Sequence, residues 1–203
     1  MEIVLIRHSI TASNLKNRYN GATDDPLCRE GIALARESGC FPDVDRVFVT
    51  PLRRTQETAA ILFPRAAQTV VPGLREMDFG DFENRSADEM ADDPAYRAWV
   101  DGGCTAPCPR GEQMSGFCDR CERAFAELVR AERDAGRLVF VIHGGSIRAV
   151  LHGFYEQRRP FYDWYAKNCR GFRASLDWDG DRPVLRACTP LETLNELEAP
   201  AHG

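Results

Sequence analysis

The chain contains four histidines, and two of them stand where a buried strand would end. The apolar run at residues 2–6 is followed by Arg7 and His8, and the apolar run at 138–142 is followed directly by His143. Ligands of open α/β sheets bind beside the carboxyl ends of the strands. One histidine at a strand end is most often structural, but two on independent strands predict a shared reactive site.

The residues around these two histidines are suited to binding an anion. Arg7 and Asn14 flank the first histidine, and Arg54 lies shortly after another predicted strand at residues 46–49. The Gly-Gly-Ser sequence at 144–146 opens a predicted helix, whose N-terminus offers free N–H groups and a positive dipole end. The planar guanidinium of arginine can donate two hydrogen bonds to one phosphate group. These residue types together predict a pocket for a phosphoryl group.

Short strand-like runs alternate with helical patterns along the chain, which is typical of an α/β domain with a mainly parallel sheet. The continuous apolar runs predict strands covered by helices on both faces, which makes a three-layer sandwich. The predicted strands are residues 2–6, 46–49, 70–71 and 138–142, followed by a hairpin of residues 172–178 and 184–187.

Amphipathic patterns predict the helices of the outer layers. The strongest pattern covers residues 117–133, and the other predicted helices are residues 29–38, 54–62 and 146–154. Residues 74–110 interrupt the alternation and are rich in acidic residues, glycine and proline. We predict that this insertion forms a small helical cap over the sheet, with short helical pieces at 86–90 and 94–100.

The composition fits one domain over residues 1–203, with a core large enough to need neither disulfides nor a metal. The net charge of -5 and the pI of about 5.5 argue against nucleic acid or an anionic membrane as a partner. A local basic pocket for a small anion is still compatible with an acidic protein. No apolar run approaches the ~20 residues of a membrane span, and the N-terminal run is no signal peptide. We therefore expect a cytoplasmic location.

The eight cysteines are numerous for a chain of this length. In a reducing compartment most of them should be free, buried thiols. Cys104, Cys108, Cys118 and Cys121 follow a C-x3-C and C-x2-C spacing, and four thiolates could bind zinc. A reversible disulfide within either pair is the alternative that the sequence leaves open.

Taken in order, the motifs resemble those of the histidine phosphatase superfamily, also called phosphoglycerate mutase-like proteins. Residues 7–14, RHSITASN, resemble its R-H-G-x-[ST]-x-x-N opening, and residues 20–27, NGATDDPL, resemble its Q-G-x-x-D-x-P-L segment. The further segments that match are TPLRRTQETA at 50–59, LREMDFG at 74–80, GEQ at 111–113 and HGG at 143–145. The short chain is most similar to the small bacterial branch, which includes α-ribazole phosphatase.

This resemblance implies a hydrolase of small phosphomonoesters that forms a phosphohistidine and uses no metal ion or other cofactor. The catalytic positions correspond to the nucleophile His8, the general acid Glu76, and a phosphate clamp of Arg7, Arg54 and His143. The residues expected to bind the substrate or its phosphate are Arg7, Asn14, Asn20, Gly21, Arg54, His143 and Gly144.

The chain departs from the family pattern at positions beside the catalytic ones. Ser9 replaces a glycine, and Cys28 replaces a helix-capping threonine, which would cost about 1 kcal/mol if nothing substitutes for the cap. Asn84 also replaces a glycine, and asparagine is the residue that best tolerates a positive φ. We expect these changes to affect substrate preference and to leave the chemistry intact.

Three functions are compatible with these residues. The first is a phosphomonoesterase, the second a phosphoglycerate mutase, and the third a non-catalytic regulator that binds a phosphorylated ligand. A zinc-binding interaction module built on the cysteines is a weaker fourth. The leaving group would be recognised largely by the insertion. Its aromatic residues either line a pocket for a nucleoside-like substrate or pack the cap: Phe79, Phe82, Tyr96 and Trp99.

Overall fold

The computed structural model describes residues 1–41 and 43–197. The strands are β1 Glu2–Arg7, β2 Arg46–Val49, β3 Ala67–Val70, β4 Arg137–Ile142, β5 Gly171–Asp179 and β6 Arg182–Leu191. They form one sheet in the order β3-β2-β4-β1-β5-β6. β1 to β4 run parallel, and the β5–β6 hairpin adds antiparallel to β1. The mainly parallel α/β sheet predicted from the sequence is confirmed.

Helices cover both faces of this sheet. They are α1 Ala12–Leu15, α2 Arg29–Glu37, α3 Arg53–Leu62, α4 Pro94–Asp101, α5 Met114–Ala131 and α6 Gly144–Phe154. Successive side chains of a strand point to opposite faces. Ile3 and Leu5 of β1 join the core formed with α5 and α6, whereas Val4 and Ile6 join the core formed with α3. This burial on two sides explains why β1 is apolar at every interior position.

Several boundaries differ from the prediction, and two of the differences have local reasons. The strand predicted at 70–71 lies at Ala67–Val70, because β3 is an edge strand with mostly exposed side chains and carries little hydrophobic signal. The helix predicted from residue 146 begins at Gly144, because its two glycines contribute nothing to an apolar pattern. The second shift matters for function, since it moves the helix N-terminus to the residue after His143.

The segment predicted to be an insertion, residues 74–110, packs its aromatic residues together. It contains the 3₁₀ turns Gly80–Phe82 and Asp88–Met90 and the helix α4. The Phe82 ring lies 5.4 Å from the rings of both Tyr96 and Trp99, and the Tyr96 hydroxyl is 2.9 Å from the Tyr19 hydroxyl. These contacts connect the insertion to the loop that follows α1.

The three departures from the family pattern have separate structural outcomes. Ser9 is fully buried, and its hydroxyl donates to the Gly31 carbonyl at 2.7 Å. Asn84 has a φ of 58°, the left-handed conformation expected of a glycine substitute. Cys28 is the N-cap residue of α2, and its side chain makes no capping hydrogen bond. The cap is therefore missing, as the sequence suggested.

The cysteines form neither of the arrangements considered from the sequence. All eight are free thiols, and Cys108 and Cys121 are buried while Cys104 and Cys118 are partly buried. Among residues 1–41 and 43–197, no group of three or more His, Cys, Asp or Glu side chains is placed to hold a metal ion. Within the same residues, no helix is both long enough and apolar enough to span a membrane.

Candidate active site

The pairing of β1 with β4 brings the two histidines together. The strands are parallel and in register, with Arg7 opposite Ile142, and the His8 N–H donates to the Ile142 carbonyl at 2.9 Å. The next residue on each strand tip is therefore a histidine facing the same side. The centroids of the His8 and His143 rings are 5.2 Å apart, with an angle of 65° between the ring planes.

His8 is a neutral imidazole with one unprotonated ring nitrogen. Its Nδ1 lies 2.6 Å from the Ser9 carbonyl, which can only accept a hydrogen bond, so Nδ1 carries the proton and Nε2 keeps its lone pair. The side chain is almost completely buried. Burial, and then the charges of Arg54 and Arg7, hold the pKa of His8 well below its usual value.

His143 is neutral for the same reasons and is fixed at both nitrogens. Arg54 Nε donates to its Nδ1 at 3.3 Å, and its Nε2 lies 2.9 Å from the Thr50 hydroxyl. Since Nδ1 accepts, the proton sits on Nε2 and is donated to Thr50. Complete burial, followed by the Arg54 charge, holds the pKa of His143 well below its usual value.

Arg54 is fully buried and has all of its N–H groups engaged. Besides His143, it donates to the carbonyls of Thr23 at 2.6 Å, Gly21 at 2.8 Å and Asn20 at 3.2 Å, and to the Asn20 side chain. Its charge lies directly behind the two imidazoles. A direct contact with phosphate, as predicted for the clamp, would require Arg54 to exchange some of these partners.

The carboxylate of Glu83 organises the loop that holds Arg54. It accepts hydrogen bonds from the backbone N–H groups of Gly21, Ala22 and Thr23, and from the Thr23 hydroxyl at 2.6 Å. The Gly21 N–H is therefore not free for a ligand, although the sequence predicted it as a phosphate-binding residue. The Gly21 carbonyl instead accepts a hydrogen bond from Arg54. A side chain at position 21 would collide with the Met77 carbonyl.

Arg7 presents an unused donor to the site. Its Nη1 donates to the Ala166 carbonyl at 2.9 Å, whereas its buried Nε has no hydrogen-bond partner among the residues that the structure describes. An unpaired buried N–H is costly, so such a group is expected to find an acceptor in the working protein. Arg7 lies beside Gly144, the first residue of α6, so the guanidinium and the helix N-terminus face the same space.

Glu76 is placed on the other side of this space by backbone hydrogen bonds. Its Oε2 accepts from the Gly145 N–H at 2.9 Å and its Oε1 from the Met77 N–H at 3.0 Å. Arg120 of α5 fixes the chain behind it by donating to the Glu76 carbonyl and to Glu112. The carboxyl group is thus held rigidly next to the N-terminus of α6.

A cavity of about 240 Å³ lies between these groups. Six of the predicted residues are in its wall: Arg7, His8, Asn14, Asn20, Glu76 and Gly144. Three others lie behind the wall and support it: Gly21, Arg54 and His143. Asn14 also closes the first turn of α1, where its side-chain oxygen accepts from the Thr11 N–H at 3.1 Å.

The wall contains residues to which the sequence had assigned no role. These are Arg18, Tyr19, Arg148, Tyr165 and Ala166. Arg148 follows Gly144 by one helical turn and falls outside the apolar stripe of α6, so periodicity could have identified it. Tyr165 belongs to a segment without any motif, and nothing local in the sequence points to it.

Comparison with known proteins adds independent information. A sequence model of the histidine phosphatase superfamily (branch 1) matches residues 3–189. The chain is 33% identical over 162 residues to a 2,3-bisphosphoglycerate-dependent phosphoglycerate mutase of Gloeobacter violaceus, covering 73% of each chain. It is 30% identical over 158 residues to the adenosylcobalamin/alpha-ribazole phosphatase of Salmonella typhimurium, covering 74% of this chain and 78% of that one.

The fold is also similar to that of solved structures. The crystal structure of the alpha-ribazole phosphatase from Shigella flexneri superimposes with a TM-score of 0.79 at 26% sequence identity. The superposition covers 95% of this chain and 96% of that chain. The fold is therefore shared with this protein over nearly the whole chain.

Proposed function

The chain belongs to the histidine phosphatase superfamily, and from this premise we propose that it hydrolyses phosphomonoesters through a phosphohistidine formed on His8. The observation that carries the proposal is the cavity wall, which contains both His8, whose Nε2 is unprotonated, and Arg7, whose guanidinium has an unpaired Nε. A nucleophile and an anion-binding cation are thereby available in one space large enough for a phosphoryl group.

In the first step, the Nε2 lone pair of His8 forms a bond to phosphorus, and the bond from phosphorus to the ester oxygen breaks. The electron pair of that bond leaves with the oxygen, which takes a proton from the Glu76 carboxyl group. Arg7 and the N–H of Gly144, the first residue of α6, stabilise the negative charge on the phosphoryl oxygens.

In the second step, water attacks phosphorus and the N–P bond breaks. Glu76, now a carboxylate, accepts the proton of this water, and inorganic phosphate and neutral His8 are released. Arg54 and His143 complete the site from behind. The positive charge of Arg54 opposes protonation of both imidazoles. The Arg54 guanidinium can bind phosphate directly if it gives up some of its hydrogen bonds to backbone carbonyls.

The chemistry needs little beyond positioning and positive charge, and arginines supply that charge without a metal ion. The expected ligand is a small phosphomonoester rather than nucleic acid or a membrane surface. The expected location is the cytoplasm. These two statements remain predictions from the sequence.

Hydrolysis of 4-nitrophenyl phosphate in the presence of EDTA tests the proposal. The wild-type protein should release phosphate under these conditions, and His8→Ala should abolish release. His152→Ala, which changes an exposed histidine at the end of α6, should retain full activity. Turnover by His8→Ala at the wild-type rate would refute the nucleophile assignment, and a strict requirement for added metal would refute the metal-independent step.

Mutase activity is the second candidate, favoured by the similarity to a protein named as a phosphoglycerate mutase. A mutase returns the phosphoryl group to the substrate rather than to water. It would interconvert 3- and 2-phosphoglycerate without net phosphate release, whereas a phosphatase would release phosphate from either. A regulator without turnover would bind such ligands and do neither.

A further inference from the structure

A second cavity of about 190 Å³ adjoins the one that contains His8. The two cavities share five wall residues: Tyr19, Glu76, Phe79, Gly145 and Arg148. The shared boundary therefore includes the carboxyl group that faces the departing ester oxygen. A leaving group attached to that oxygen would point into the second cavity.

The walls of this second cavity are mainly aromatic. Beyond the shared boundary they include the rings of Trp99, Phe117, Phe161 and Tyr162, together with methionine and cysteine side chains. Among the residues that the structure describes, the charged ones in this wall are Glu76 and Arg148, both at the boundary with the first cavity. The interior away from phosphorus thus offers ring surfaces and no ionic partner, which suits an uncharged apolar group.

The aromatic walls are held in place by contacts of their own. The Tyr19 ring lies 5.0 Å from Phe79 and 5.9 Å from Trp99, at the tilted and edge-on angles that aromatic pairs prefer. Arg148 Nε donates to the Trp164 carbonyl at 3.0 Å, and its guanidinium lies 5.7 Å from the Tyr162 ring. The cavity is therefore preformed rather than created by the ligand.

Its size fits a single ring. An apolar cavity of about 150 Å³ engineered into another protein binds benzene. The larger volume here accommodates a six-membered aromatic ring with its linking carbon. Tilted and edge-on contacts with the wall favour a flat ring over an aliphatic ring of similar size by several-fold.

Resting on the function proposed above, we propose that this enzyme prefers monoesters whose leaving alcohol carries an uncharged aromatic ring. The ring occupies the cavity between Tyr19, Trp99 and Tyr162, and Tyr162 is a residue that determines this specificity. Tyr162 is 56% exposed, so its side chain closes the cavity from the solvent side. Its substitution should alter recognition without unfolding the protein.

Three substrates with comparable primary alkoxide leaving groups test the preference: benzyl, cyclohexylmethyl and ethyl phosphate. The kcat/KM for benzyl phosphate should exceed that for ethyl phosphate by at least about 10-fold, because a whole ring is buried. It should exceed that for cyclohexylmethyl phosphate by about 3-fold or more. Equal values for all three substrates, or a preference for the aliphatic ring, would overturn the proposal.

Substitutions of single residues test whether Tyr162 is responsible for the preference for an aromatic leaving group. Tyr162→Leu should lower the benzyl-to-ethyl ratio of kcat/KM by about 3-fold or more, whereas Tyr162→Phe should preserve it. Val100→Ala, on an exposed position of α4 next to Trp99, should leave both activity and ratio unchanged. An unchanged ratio in Tyr162→Leu would remove Tyr162 from the specificity site.

Binding of phosphonates separates this proposal from the proposed function. Benzylphosphonate and ethylphosphonate cannot be hydrolysed at the P–C bond, and calorimetry measures their affinities directly. The protein could release no phosphate from any ester and still bind benzylphosphonate at least about 10-fold more tightly than ethylphosphonate. That result would support the aromatic site and refute the proposed hydrolase activity. Equal affinities would overturn the cavity assignment, whatever the turnover.

Discussion

At the scale of single residues, Gly145 leaves room for Glu76, the proposed general acid. A Cβ at this position would collide with the Glu76 carboxylate, although the backbone φ is an ordinary one. Gly145→Ala should therefore displace Glu76 from the ester oxygen and lower kcat by about 100-fold, since displacements of about 1 Å can cost this much. The unfolding free energy should also fall by about 1–3 kcal/mol, because the displaced carboxylate loses its hydrogen bonds from the Gly145 and Met77 N–H groups.

Gly116→Ala is the matched control for this substitution. Gly116 lies exposed in the first turn of α5, with nothing near its added methyl group. This variant should keep full activity and gain up to about 1 kcal/mol of unfolding free energy. Wild-type kcat in Gly145→Ala would show that the position of Glu76 does not limit the reaction.

The two buried histidines also make stability depend on pH. Burial and the neighbouring arginines lower the pKa of His8 and His143 in the folded state, so the unfolded chain binds more protons at mildly acidic pH. Stability is then greatest above the unfolded pKa of about 6.5 and falls as the pH drops below it. Each imidazole that stays neutral in the folded protein down to about pH 5 lowers the free energy of unfolding at that pH by about 2 kcal/mol.

Urea unfolding at about pH 7.5 and about pH 5 measures this loss. The difference between the two values should be smaller in His8→Asn than in the wild type, and His152→Asn should not reduce it. The same pKa direction predicts that kcat/KM does not fall at the pH where an ordinary histidine becomes protonated. Equal pH dependence of stability in wild type and His8→Asn would contradict a neutral buried His8.

At the scale of elements, the loop at residues 20–23 connects Glu83 to the histidines through a series of hydrogen bonds. Glu83 binds the loop N–H groups, the loop carbonyls bind Arg54, and Arg54 binds His143. Glu83→Gln removes the charge and replaces one acceptor oxygen by a donor. We expect a loss of about 1–3 kcal/mol of unfolding free energy and a fall in kcat/KM of about 10-fold.

Glu127→Gln on the exposed face of α5 provides the comparison, because it makes the same chemical change without these contacts. It should match the wild type in urea unfolding and in activity. If Glu83→Gln also matched the wild type, the chain of contacts from Glu83 to His143 would carry no energetic weight.

The parts of this arrangement that the sequence predicted are the local ones. The strands ending at Arg7 and Ile142 are apolar at every interior position, and that pattern alone predicts two adjacent histidines at their tips. The role of Glu83 depends on hydrogen bonds to residues about sixty positions earlier in the chain, which no local pattern encodes. The same holds for Tyr165, which reaches the cavity from a loop without regular structure.

The aromatic residues of the insertion show why the leaving-group site was ambiguous. From the sequence, these aromatic residues could either line a pocket or pack the cap. In the structure, two of them do only the second and two do both. Phe82 and Tyr96 are buried in the cap, whereas Phe79 and Trp99 also reach the second cavity. All four have the same side-chain chemistry, so only their three-dimensional placement separates the two roles.

At the scale of the whole molecule, a protein of net charge -5 holds a locally positive site. Arg7 and Arg148 are in the wall of the first cavity and Arg54 lies behind it, where Glu76, Glu83, Asp25 and Asp24 are close enough to offset part of its field. The carboxyl ends of the parallel strands bring Arg7 and Arg54 there, and α6 brings Arg148. We therefore expect the site to attract a phosphate dianion in spite of the overall charge.

Phosphorylation of His8 is the central claim, and trapping the intermediate tests it most directly. Protein mixed with 4-nitrophenyl phosphate, quenched in alkali and digested should yield one peptide carrying a phosphoryl group, the one that contains residue 8. The group should be labile in acid, as a phosphohistidine is, and should be absent from His8→Ala. A phosphoryl group on any other residue, or rapid turnover with no phosphorylated peptide at any time, would contradict this account.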